Sequence, residues 1–124
     1  MLGALGAACS VALGAFAAHW LKARIDPSAL ATFHTGVTYQ FFHSLALCVV
    51  ALWADQARRG GPLGASWHVA ALAFLTGIVL FSGTLYGLAL GAPRWLGAIT
   101  PLGGIAFIVG WISFTWAIWT MERA

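Results

Sequence analysis

Charge is what this sequence has least of. Among 124 residues there are six Lys or Arg and three Asp or Glu, 7% charged against 61% hydrophobic, where a soluble domain carries about a quarter of its residues as charges. The mean hydropathy of +0.90 points the same way. A water-soluble globular domain is excluded, and most of the surface must face lipid. The acidic residues Asp26, Asp55 and Glu122 fall outside the long apolar runs, which removes any intramembrane carboxylate pair or carboxylate proton relay. Cysteine is scarce as well: Cys9 and Cys48 offer neither a disulfide framework nor a metal-ligand spacing and read as small packing residues. There is no Gly-x-Ser-x-Gly elbow, no His-Glu-x-x-His helix and no phosphate loop, so the chain is not expected to be an enzyme. The six cations are scattered rather than gathered on one face, so the net charge of +3 does not point to nucleic acid as a partner.

What is present is long uncharged sequence. No charged side chain occurs between Met1 and Lys22, Asp26 and Asp55, Arg59 and Arg94, or Arg94 and Glu122. Each window exceeds the roughly 20 apolar residues needed to cross a bilayer core, which predicts transmembrane helices over residues 2–21, 32–54, 67–90 and 97–120. Continuous apolar runs without alternation favour helices over a membrane barrel. The first window resembles a secretory signal, but Lys22 and Arg24 follow the apolar run instead of preceding it, so it is read as a retained helix. Lys and Arg divide equally between the two sides, leaving orientation open.

Short linkers predict an all-α, up-down-up-down bundle of four membrane helices forming a single domain over residues 1–124. Asp26, Pro27 and Ser28 form a helix-start signal that predicts a brief interfacial helical stretch leading into the second span. The second loop, Ala57 to Ala65, has turn composition with Arg58, Arg59, Gly60, Gly61, Pro62 and Gly64, and Gly91 to Arg94 makes a tight third turn. Two stripes with four-residue spacing, Gly6, Ser10, Gly14 and Ala18 in the first span and Gly83, Gly87 and Gly91 in the third, are expected to pack helices closely, because lipid leaves van der Waals contact as the main attraction. Trp53, Trp67, Trp95 and Trp119 are expected as interface anchors.

Four strings, GAFAAHWLK at Gly14 to Lys22, FHTGVTYQFFH at Phe33 to His43, GIVLFSGTLYGLAL at Gly77 to Leu90 and ITPLGGIAFIVGW at Ile99 to Trp111, together resemble the domain-of-unknown-function family 423. That family includes bacterial inner-membrane proteins and the animal transmembrane protein 256. The resemblance touches all four spans in order and departs mildly at Ala17, where the motif has a second glycine. It implies a small multi-pass membrane protein, suited to a bacterial cytoplasmic membrane, and implies no chemistry.

The remaining signal is polar. Folding the spans up and down gathers polar groups toward the half of the membrane that carries the first and third loops. Thr35, Tyr39 and His43 share one helix face, with Gln40 beside His43, and His43 lies near mid-membrane. Polar groups at that depth must turn inward or toward water. One reading has them hydrogen-bond across helices and fix the bundle, and this is preferred. The other is a ligand pocket lined by Tyr39, Gln40, His43, Tyr86 and Thr100. Four histidines raise bis-histidine haem, but only His19 and His34 share a depth, so neither haem nor any other cofactor or metal is expected. Two functions follow: a non-catalytic structural or accessory membrane component that associates with itself or a larger membrane complex, which is favoured, and a small-molecule or lipid carrier using the polar pocket.

Overall fold

The computed structural model describes residues 1–123. Its four long helices are α1 (Leu2–His19), α2 (Pro27–Arg58), α3 (Ala65–Ala89) and α4 (Thr100–Met121), with short 3-10 turns at Leu21–Ala23 and Arg94–Ala98. All four are long and apolar enough to cross a membrane, and no strand occurs among the described residues.

The expected interfacial stretch and the second span are one helix. Asp26 caps it, its Oδ1 accepting from the amides of Ser28 at 2.9 Å and Ala29 at 3.1 Å, with Pro27 in the first turn. These groups satisfy amides that a helix start leaves without partners. The Ser28 hydroxyl, donating to the same oxygen at 2.6 Å, and then these amides hold the Asp26 carboxyl below the usual aspartate range. With 32 residues, α2 is about 48 Å long by helical rise, well beyond a hydrocarbon core of about 30 Å. Its ends therefore reach past the apolar slab, which explains the charged last turn at Asp55 and Arg58.

A core of Leu47, Val50, Phe74, Phe107 and Phe114 lies where α2, α3 and α4 meet. A second, smaller cluster of Ala17, Leu21, Phe33 and Ala89 ties the end of α1 to α2 and the end of α3. α3 and α4 pack along their length, as do α1 and α2, whereas α1 forms no extended contact with α3 or α4. The bundle is thus open on the α1 side.

The glycine and small-residue lines fall differently from their expected places. On α1, Gly6, Ser10 and Gly14 face α2, but Ala18 is exposed; the contact line instead begins at Gly3 and ends at Ala17. A strict four-residue repeat advances about 40° per step around a helix of 3.6 residues per turn, so a line of contact has to mix steps of three and four. In α3, a Cβ at Gly83 would meet nothing within 4 Å, and one at Gly87 would meet the Leu96 side chain. Gly91 is not a packing residue at all: with φ of 91° it ends the helix. The Ala92 amide reaches the Gly87 carbonyl and the Gly91 amide that of Leu88, the pairing that caps a helix through a left-handed residue.

The tryptophans divide too. Trp95, Trp53 and Trp119 are exposed, but Trp67 is buried with its ring against Phe114. It stands in the first turn of α3 on the face turned to α4, so it serves the core instead of anchoring at the interface.

Candidate functional site

The buried face of α2 runs Phe33, Gly36, Gln40, His43, Leu47 and Val50, spaced by three and four as a helix seam requires. Three buried polar side chains stand on this helix, Gln40, His43 and Ser44; the Ser44 hydroxyl has no hydrogen-bond partner among the described residues, and the other two are used differently.

Gln40 bridges three helices. Its Nε2 donates to the Gly6 carbonyl of α1 at 3.0 Å, and its Oε1 accepts from the Tyr86 hydroxyl of α3 at 2.9 Å. Ser10 donates to the same Gly6 carbonyl at 2.9 Å, so that one oxygen collects both bonds. Room for the Tyr86 ring comes from Gly36, where a Cβ would stand 2.8 Å from the ring.

His43, one turn deeper, is locked by rings. Its Nδ1 donates to the Tyr39 carbonyl at 2.7 Å and its Nε2 accepts from the Trp111 indole N–H of α4 at 3.3 Å. A ring protonated on Nδ1 satisfies both bonds at once. Phe107 stacks on the imidazole with centroids 3.5 Å apart and planes within 13°, and Phe74 lies 5.6 Å away. Two glycines create that space. A Cβ at Gly77 would run into the Phe107 ring, and one at Gly110 would stand 2.6 Å from Phe74.

Thr100 belongs to neither group. Within α3, Ile78–Ser82 is a π-helical turn in which the Gly83 amide reaches back to the Ile78 carbonyl. Such a turn frees carbonyls from the regular ladder. The Thr84 hydroxyl donates to the Leu80 carbonyl at 2.6 Å and lies 2.8 Å from the Thr100 hydroxyl of α4. Since the Thr84 proton is engaged, Thr100 is the donor in that pair. The bulging backbone at Leu80 and Phe81 presses onto Gly103, where any Cβ would collide with main-chain atoms.

The five residues expected to line one pocket are therefore distributed over three separate devices: Gln40 with Tyr86, His43 with Trp111, and Thr100 with Thr84. Tyr39, an exposed residue, contributes its carbonyl to His43, while its ring packs on Phe81 with centroids 4.5 Å apart. Rings fill the space around His43. Of the other histidines, His19, His34 and His68 are exposed, and no cluster of three or more His, Cys, Asp or Glu that could hold a metal occurs among the described residues. Sequence reasoning missed Trp111, Phe107, Gly77 and Gly110. A usable signal was there in α4, where Gly103, Phe107, Gly110, Phe114 and Ala117 alternate ring and gap at helix spacing.

Residues 13–104, from mid-α1 to the first turn of α4, match the family model described as "Protein of unknown function (DUF423)". The chain belongs to that family. It is 49% identical over 113 residues to the UPF0382 membrane protein YwdK of Bacillus subtilis, covering 90% of this chain and 88% of the relative. A UPF0382 membrane protein of Haemophilus influenzae is 44% identical over 106 residues, covering 86% and 81%. The UPF0382 membrane protein C1782.12c of Schizosaccharomyces pombe is 40% identical over 118 residues, covering 89% and 92%. No solved structure matches the chain. The family membership and the four spanning helices together make this a multi-pass membrane protein.

Proposed function

We propose that the protein is a non-catalytic structural or accessory component of its membrane, assembling with itself or within a larger membrane complex. The observation that carries this reading is that the long polar side chains at depth are spent inside the fold: both ring nitrogens of His43, both ends of the Gln40 amide and the Thr84–Thr100 pair have partners there, and the two buried hydroxyls without a partner, those of Ser44 and Ser82, are wholly enclosed between helices where no cargo reaches them. A carrier needs polar groups left free to meet its cargo, and an enzyme needs a nucleophile or base that substrate can reach. The three carboxylates stand at helix ends, and the imidazole at mid-depth is enclosed by Phe74, Phe107 and Trp111. A bundle open along α1 also leaves apolar helix surface that association would cover.

Native mass spectrometry of the protein extracted from its own membranes in mild detergent, at natural abundance, tests the reading. The expected result is a defined oligomer or a mass increment from another polypeptide. Bare monomer throughout, with cross-linking in intact membranes giving no larger species, would sink it.

A further inference from the structure

The open side of the bundle contains a cleft of about 370 Å³ between the start of α1, the last turns of α2 and the first turns of α3. It exists because the first turns of α1 dock on α2, while α1 meets α3 only at its far end. Gly3 sits so close to Ser44 and Cys48 that a Cβ there would overlap them, and this tight seam leaves the flank of α3 uncovered. The cleft has an unequal lining. Arg58 and His68 stand at the membrane surface end, and Leu47, Ala71 and Leu75 line the deep end; none of the lining residues is a carboxylate. Asp55, the nearest acid on α2, is engaged by Arg59 at 3.1 Å, and Arg58 has no ion-pair partner among the described residues.

Depth matches one leaflet. From Leu47 to Arg58 α2 rises about 16 Å, roughly half of a hydrocarbon core about 30 Å thick. A cation at the mouth, an imidazole that can donate a hydrogen bond beside it and an apolar channel one leaflet deep are the complement of a single amphiphile with a negative head and an acyl chain. We propose that this cleft is a binding site for an anionic phospholipid, its phosphate held by Arg58 and His68 and one acyl chain lying against Leu47, Ala71 and Leu75. Arginine suits the head because its planar fork meets phosphate oxygens in pairs. A zwitterionic lipid fits less well, since its own ammonium opposes the guanidinium. The site goes beyond the accessory role and does not depend on it.

The test is native mass spectrometry of the purified full chain titrated with dioleoyl phosphatidylglycerol or dioleoyl phosphatidylcholine. Wild type is expected to retain one phosphatidylglycerol per chain with about fivefold preference, the value of one basic residue near an anionic headgroup. Arg58→Gln should bring the preference to near unity, while Arg59→Gln, its neighbour outside the cleft, should keep it. Ala71→Trp, which fills the deep end, should lower retention of both lipids. Equal retention of the two lipids by wild type, an unchanged preference in Arg58→Gln, or equal losses in the two arginine variants would each overturn the proposal. So would an Ala71→Trp variant that binds as wild type does, or cross-links from position 71 to a second polypeptide in place of lipid.

Discussion

The two seams of this bundle are closed by opposite means. Along α1 and α2, small residue meets small residue, and the one long polar side chain, Gln40, crosses to a backbone carbonyl. Where α3 meets α4, rings enter gaps: Phe107 lies over Gly77, Phe74 over Gly110, and the π turn lies on Gly103. The difference teaches how lipid-immersed helices find adhesion without a hydrophobic drive between them. Close backbone approach gives the first seam its contact but little buried area, so a hydrogen bond fixes its register. Interlocking rings give the second seam extensive dispersion contact, and polar groups there serve to repair the backbone at the π turn. The first seam should therefore be the weaker, and it is the one bordering the open cleft.

Substitutions that add volume should break the ring seam hardest. Gly103→Ala places a methyl group against the main chain of Phe81, which cannot turn aside as a side chain could, and is expected to cost about 3 kcal/mol or more, at the upper end for overpacking. Gly77→Ala meets the Phe107 ring, which has some freedom to shift, and should cost less, about 1–3 kcal/mol. Reversible unfolding in mixed detergent micelles measures both. Gly103→Ala as stable as wild type would mean that the π turn does not press on α4 in the membrane.

At the first seam, Gln40→Leu keeps the volume and removes bonds to Gly6 and Tyr86. The expected loss is about 1–2 kcal/mol, the range for an interhelical hydrogen bond in lipid, and it should be local. Cys48, whose sulfur lies beside Gly3, reports this directly: in a Cys9→Ala background, Gln40→Leu should speed its labelling by a membrane-permeant thiol reagent, because α1 lifts from α2. Gly77→Ala should not. If both variants speed labelling equally, the seams unfold as one unit and the contrast between them fails.

How far these seams could be read from sequence follows from what each uses. Span number and helical class were legible because a charge within a bilayer core is costly, so the spacing of Lys22, Asp26, Asp55, Arg59 and Arg94 marks the crossings. The inward turn of Gln40 and His43 was legible for the same reason. Their partners were not: a glutamine at mid-depth has to find a donor and an acceptor, but nothing local says that these are Tyr86 and the Gly6 carbonyl. Four-residue glycine spacing misled because a helix turns in 3.6, and Gly91 shows that a glycine near a helix end serves backbone geometry as readily as packing. The π turn left no mark in composition. Thr84 and Thr100, which repair it from two different helices, become intelligible only once the bulge between them is seen.

The smallest expected effect lies outside both seams, at the start of α2, and it fixes where the membrane contrast ends. Asp26 is fully exposed, and bonds to Ser28 and Ala29 lower its carboxyl pKa. Because the folded pKa lies below the unfolded one, the cap's contribution is present above the unfolded aspartate value near 3.9 and is lost as pH falls through the lower folded value. Above that window, acidification should leave the cap intact. The amide resonances of Ser28 and Ala29, followed by NMR in micelles, should therefore titrate together with a midpoint below that of a free aspartate, and Asp26→Asn should abolish the transition while retaining a cap, since asparagine also accepts from the first-turn amides. The indole N–H resonance of Trp111, which donates to His43 at the edge of the ring seam, should not change across the same interval. A midpoint at or above the free value would show the carboxylate bonds to be absent in solution, and a coincident Trp111 change would show that the water-exposed start of α2 and the buried ring seam are coupled.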